Sequence, residues 1–252
     1  MKKIFLTLSI IFFLSPLSAL ALSFDGTNDY VSATSTNQSL NILGAVTIAA
    51  WVRPTSFPDG FETIFNKGQS HTADGIGNTS PYDLVTRTGK VRFDIVNTSF
   101  THSTQDSPSA LDLNKWSHVV GTWNGTTGAN NQVIYVNGVA TTSATQVLVS
   151  SLSSTATDAT IGYDIIRNDQ RMAWNGQIGE VRVYKRALTP NEIRMLYRGF
   201  PSRSGLVGYW PLIGNTSGTF EPDFSGYGGH GTRTSGPIRA ALHPFTRLMR
   251  FR

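Results

Sequence analysis

The sequence contains no cysteine. Disulfides, thiol nucleophiles and cysteine-type zinc sites are therefore excluded. Stability must come from a packed core, and 252 residues are enough to build one. Charged residues are sparse, at 15%, and the G-x-S-x-G and H-E-x-x-H patterns of serine and zinc hydrolases are missing. The five histidines are scattered, and His118, between Trp116 and Trp123, fits a packed strand residue. No catalytic residue is expected.

Long apolar runs are missing too, except at the N-terminus. There Lys2 and Lys3 precede the run from Ile4 to Leu14, which is too short to span a bilayer comfortably. Pro16 and Ala19-Leu20-Ala21 follow in the places a signal peptidase requires. Residues 1–21 are expected to be a signal peptide, with the mature chain starting at Leu22 and exported, to the outside or the periplasm of a bacterium. An uncleaved anchor is the alternative. The net charge is +5, but it is uneven. After Asp223 there is no further acid, while Arg233, Arg239, Arg247, Arg250 and Arg252 remain. Residues 237–252 read as a basic tail, either a frayed end or a segment docking on an anionic surface or partner. The body is close to neutral, and nucleic acid is not an expected partner.

What is present is strand alternation and turn chemistry. Val46, Ile48, Ala50 and Val52 share one face of a strand. Tyr82–Arg87 and Lys90–Val96 flank Thr88-Gly89, and Gln132–Val136 runs into Asn137-Gly138; both dipeptides suit two-residue hairpin turns. Trp116–Trp123 and Gly176–Tyr184 are further strands. One helix is signalled: Thr189 as N-cap, Pro190 at the first position, Glu192 completing a capping box, and Gly199 as the stop. About a dozen short antiparallel strands and one helix form a compact unit only as a sandwich or a barrel.

Six segments carry a resemblance. LSFDGTNDYV (22–31), VTIAAWVRP (46–54), IFNKG (64–68), WSHVVGTWNG (116–125), VIYVNGV (133–139) and GQIGEVRVYKRALTPNEI (176–193) resemble, in order, the LamG-like jelly-roll family of the concanavalin A-like lectin/glucanase superfamily. The resemblance implies an all-β antiparallel jelly-roll β-sandwich, residues 22–236, with one short helix after the closing strand. SGLVGYWPL (204–212) and EPDFSGYGGHG (221–231) are similar to a segment the family often carries at its beginning. Here they follow the helix. Either they start a truncated repeat, or residues 203–236 fold back as an extra strand and Gly-rich loop, the favoured reading because a lone apolar strand would leave a sticky edge.

The family implies candidate sites. Its hydrolases need carboxylates at alternate positions of one strand. No E-x-D-x-x-E exists here and Asp94 lacks such a partner, so a hydrolase is the least favoured outcome. A structural calcium is implied at Asp223 and the loop after it, with Glu180 approaching the same ion. A second oxygen-rich group, in loops where pentraxin relatives bind calcium and ligand, holds Asp164, Asn168 and Asp169, with Asp74 and Asn78. Near it, Tyr163, Arg167, Arg171 and Trp174 supply the aromatic faces and hydrogen-bonding groups that a sugar requires. Trp51, Trp116, Trp123 and Trp210 fit core strands instead. The expected function is a secreted non-catalytic module that binds a glycan or cell-surface ligand with calcium as cofactor. The alternative is an extracellular structural or adhesion module with a protein partner.

Overall fold

The computed structural model describes residues 19–33, 38–58, 60–68, 80–143, 146–164, 172–214 and 218–243. The first strands are Ala19–Asp25 (β1), Tyr30–Ala33 (β2), Val46–Pro54 (β3), Phe61–Lys67 (β4), Tyr82–Arg87 (β5), Lys90–Val96 (β6), His102–Ala110 (β7) and Ser117–Trp123 (β8). Gln132–Val136 (β9), Val139–Ser143 (β10), Ala159–Ile161 (β11) and Asn175–Tyr184 (β12) lead to the helix Pro190–Tyr197 (α1). Leu206–Trp210 (β13), Phe220–Glu221 (β14), Gly231–Thr234 (β15) and Ile238–His243 (β16) follow it. Two eight-stranded antiparallel sheets result. The first has the order β10-β9-β8-β3-β12-β1-β16, with β13 also paired to β12; the second has β14-β15-β2-β11-β4-β5-β6-β7. Among the described residues no helix is long and apolar enough to cross a membrane.

The alternation places the core between the sheets. Val46, Ile48, Ala50, Val52, Val119 and Ile178 of the first sheet meet Val31, Phe65, Tyr82, Leu84, Phe93 and Ile161 of the second. Gly121 is where they come closest: a Cβ there would lie 2.4 Å from the Phe93 ring. Both hairpin dipeptides form the turns expected of them. Thr88 and Gly89 have φ of 49° and 79°, and Asn137 and Gly138 have 52° and 79°, the doubly positive pattern that matches strand twist. Helix α1 has its capping box and covers the outer face of the first sheet, where Leu188, Ile193 and Leu196 pack on Ala49, Val120, Tyr135 and Tyr184.

A bulge in β12 explains where the C-terminal segment goes. Glu180 has φ of 56°, and the register with β3 shifts between Gly179 and Arg182. On the other side of β12, β1 pairs with residues up to Ile178 and β13 takes over from Val181. Residues 206–234 thus add β13 to one sheet and β14–β15 to the other, and bring Trp210 and Leu212 into the core with no exposure. The segment expected to be a tail from 237 begins as a strand, because β16 finds an open edge at β1, with Leu22 opposite Arg239. Of the expected signal peptide, residues 1–18 lie outside the described residues, and Ala19–Ala21 are part of β1.

Candidate functional site

Residues paired directly across neighbouring strands project from the same face of a sheet. In the second sheet one such line runs from Ser32 through Thr160, Asn66, Asp83 and Asp94 to Thr104. It crosses six strands, β2, β11, β4, β5, β6 and β7. Their neighbours Val31, Ile161, Phe65, Leu84 and Phe93 point into the core, so the polar row lies on the outer face. Even there, Asn66, Asp83 and Asp94 have no exposure and Thr160 has 3%.

The row is held by side-chain bonds at one end. Thr104 Oγ1 donates to Asp94 at 2.7 Å, and His102 Nδ1 lies 3.5 Å from the same carboxylate. The hydrogen bond to Asp94, and then its charge, raise the His102 pKa above the ordinary value against the effect of burial. Two register positions along, on the same face, Arg92 forms a bidentate pair with Asp106 at 2.6 and 2.7 Å. Burial lowers the Arg92 pKa, but the hydrogen bond with Asp106 and the charges of Asp106, Asp94 and Asp83 outweigh it and raise it. Ser80 Oγ donates to Asn66 Oδ1 at 2.7 Å. The amide nitrogen of Asn66 and the hydroxyls of Thr160 and Thr63 are buried and make no hydrogen bond within the protein. A buried polar group left so costs about 1–3 kcal/mol. Three such groups, all enclosed from solvent, lie on this one sheet face.

A rim stands over this floor. Gly162, with φ of 91°, turns the chain at the end of β11; a Cβ there would be 2.3 Å from the Phe24 ring. Beyond it, Tyr163 packs with Met172 and Ala173 against Tyr30 and Phe61 of the outer face. The guanidinium carbons of Arg87 and Arg92 lie 5.5 and 5.3 Å from the centre of the Phe61 ring. Asp164 is fully buried beside Tyr163. Of the residues expected from sequence, Tyr163 therefore reaches this face. Trp174 does not. It is 1% exposed within the main core, because its indole packs between the sheets, and it offers no stacking surface. Tyr163, at 3%, is likewise closed in by its neighbours. Arg167, Arg171 and Asp169, together with Asn168, Asp74 and Asn78, lie outside the described residues.

The other expected calcium ligands are engaged elsewhere. Asp223 Oδ1 accepts from the amides of Tyr209 and Ser225 at 2.9 and 2.8 Å, and its Oδ2 accepts from Ser225 Oγ and the Gly229 amide at 2.7 and 3.0 Å. Both oxygens are saturated by donors, and the carboxylate closes the Gly-rich loop onto β13. Glu180 pairs with Arg182 at 2.5 Å and accepts from the Tyr209 hydroxyl at 3.1 Å. The two acids thus grip opposite ends of Tyr209, over whose ring Arg182 sits at 3.9 Å. Four donors on one and a guanidinium on the other do not fit a shared calcium ion. Among the described residues no group of three or more His, Asp or Glu is placed to hold a metal.

The two-sheet architecture with its closing helix has relatives. The Laminin_G_3 model, described as concanavalin A-like lectin/glucanases superfamily, matches residues 25–194. This chain belongs to that superfamily. The concanavalin A-like match takes in the whole polar row and ends within α1, so β13–β16 lie beyond it. A Bacteroides ovatus protein described as carbohydrate-binding is similar over 89% of this chain, with a TM-score of 0.67 and 21% identity. The chain spans 60% of that protein's length. A heptameric SAP-like pentraxin from Limulus polyphemus is similar over 92% of this chain and all of its own, with a TM-score of 0.55 and 16% identity. At these identities the likeness is one of fold. No curated protein matches the chain.

Proposed function

We propose that this concanavalin A-like sandwich is a non-catalytic module that binds a carbohydrate on the outer face of its second sheet. The observation that carries the reading is the row Thr160–Asn66–Asp83–Asp94, with buried donors that the chain itself leaves unpaired. Carboxylate, amide and hydroxyl groups recur at the spacing of neighbouring strands, about 4.8 Å. A polyol, which donates and accepts at every hydroxyl, answers such a row better than an apolar ligand does. The Bacteroides ovatus protein described as carbohydrate-binding supports the same class. The acids favour recognition over hydrolysis, since Asp94 is tied by Thr104 and His102. Calcium belongs to this reading only through the sequence expectation that Asp164 and Asp169 supply the oxygens that the ion prefers. Lys2, Lys3 and the apolar run after them support export.

The test is a glycan array, with and without calcium, on the chain and on Thr160→Val. Valine keeps the shape and removes the unpaired hydroxyl. The expected outcome is loss of the glycan signal, with a melting temperature equal to or above the parent's, since about 1–3 kcal/mol of desolvation cost goes with that hydroxyl. Undiminished binding in Thr160→Val would refute the assignment to this face. Silence of the parent on every glycan would leave a protein ligand as the better reading. A signal unchanged by chelator removes calcium from the proposal.

A further inference from the structure

We infer that the saccharide held on the outer face of the second sheet is anionic, and that Arg87 and Lys90 meet its charges. This adds the class of sugar to the sheet-face reading, on which it rests. The two residues stand directly opposite each other across β5 and β6, on either side of the Thr88-Gly89 turn. Each is four residues from the polar row, Arg87 from Asp83 and Lys90 from Asp94, and even spacing along a strand keeps side chains on one face. The row is enclosed, but at this corner the face opens, and Arg87 and Lys90 are both exposed. Phe61 of β4 lies opposite Arg87 and continues the line.

Like charges directly opposite in a sheet destabilise it. Arg92, Arg182 and Arg233, which also lie in strands, each have a carboxylate partner, in Asp106, Glu180 and Glu221. Arg87 and Lys90 have none. Beyond the ring contact of Arg87, neither side chain makes an ion pair or a hydrogen bond among the described residues. Asp106 is taken up by Arg92. Asp83 and Asp94 are about 13 Å away along their strands, at roughly 3.3 Å per residue, beyond the screening length of about 8–10 Å. The corner therefore keeps two uncompensated positive charges. It is also positioned. The guanidinium carbons of Arg87 and Arg92 lie 5.5 and 5.3 Å from the centre of the same Phe61 ring, and the cation–π attraction seats both of them there.

An anionic saccharide answers this layout. Its carboxylate or sulfate groups would take charge-assisted hydrogen bonds from the guanidinium and the ammonium. Arg87 offers the flat fork that grips such a group through two N–H bonds, and Lys90 adds a point charge beside it. A neutral saccharide would leave the two cations opposed and unmet. A bare phosphate would meet the charge and make no use of the rest of the face.

The experiment uses the full chain in calorimetric titrations with a neutral galactose oligomer, oligogalacturonate, a sulfated galactose oligomer and inorganic phosphate. At low salt, at least one charged oligomer is expected to bind about fivefold tighter than the neutral one, the worth of two exposed ion pairs. The two charged arms tell carboxylate from sulfate. Added salt should shrink the preference, and Arg87→Gln or Lys90→Gln should each reduce it. Lys90→Glu should abolish it and raise the melting temperature by about 1–3 °C, because an acid opposite Arg87 turns repulsion into attraction. Misfolding cannot produce that pair of results. Charged oligomers bound no better than the neutral one, a preference that survives Lys90→Glu, or phosphate bound as tightly as the charged oligomers would each overturn the inference. If the neutral oligomer binds the parent and not Thr160→Val, with no preference for charge, the sheet-face reading stands and the anionic class alone falls.

Discussion

Lys67 has no exposure to solvent. Its ammonium donates to the carbonyls of Thr155, at 3.2 Å, and of Thr157. Burial lowers its pKa to about 8, against the opposing charge of Asp158. The unfolded chain holds this proton up to its ordinary value of 10.5. Between about 8 and 10.5 the unfolded state therefore binds more protons, and stability rises with pH across that window. Below it the cost of the buried charge is constant. Lys67→Met should lose this rise, and the difference between parent and variant isolates it from the buried tyrosines. Urea unfolding at steps of pH through the window checks it; parallel curves would show that the lysine titrates normally. Nothing near Lys67 in sequence announced this environment. The Lys67-Gly68 dipeptide reads as the end of a strand, which it is, but the carbonyls that bury it lie some ninety residues away.

At the scale of elements, local chemistry was the most legible. The two hairpins and the capping box are short-range devices, and each needs only its own residues. The structure adds one partner to the helix start: Arg186 clasps Glu192 at 2.9 and 2.6 Å. That ion pair, with the Thr189 bonds behind it, holds the Glu192 carboxyl at about 2. A depressed carboxylate stabilises the fold above its ordinary pKa of 4.5, and the contribution disappears as pH falls through about 2. Glu192→Ala should cost about 1–2 kcal/mol at neutral pH, the value of a cap and a partly exposed ion pair together. In thermal melts the gap to the parent should narrow as the solution is acidified below pH 4.5; a constant gap would mean the carboxyl contributes no charge. The polar row was half legible by the same logic. The Thr88-Gly89 turn sets Arg87 opposite Lys90 and hence Asp83 opposite Asp94, which the hairpin alone could have shown. Thr160 and Asn66 could not be placed that way, because β11 and β4 are far apart in sequence and β4 carries a bulge between Thr63 and Phe65.

At the scale of the molecule, the superfamily match stops at residue 194, but the core does not. Trp210 and Leu212 are fully buried in it, and Val207 is 1% exposed. β13 also covers the edge of β12 from Val181 to Tyr184, an edge that would otherwise present bare ladder groups to other chains. The resemblance of SGLVGYWPL to a family opening strand left open whether it completed this sandwich or began another, since strand pairing across the helix is invisible to periodicity. A chain ending after Phe200 tests the arrangement. Losing one buried tryptophan costs about 3–5 kcal/mol, and Val207 and Leu212 go with it, against a typical total stability of about 5–15 kcal/mol. That truncation should aggregate or lack a cooperative melt. A chain ending after Gly236 should melt cooperatively within a few degrees of the parent, because β16 contributes an edge strand whose Ile238 is 67% exposed. Circular dichroism melts with size-exclusion chromatography separate these outcomes. A cooperative, monomeric fold of the shorter chain would mean that the superfamily core closes without its extension, which would then be an addition to a finished sandwich rather than part of its closure.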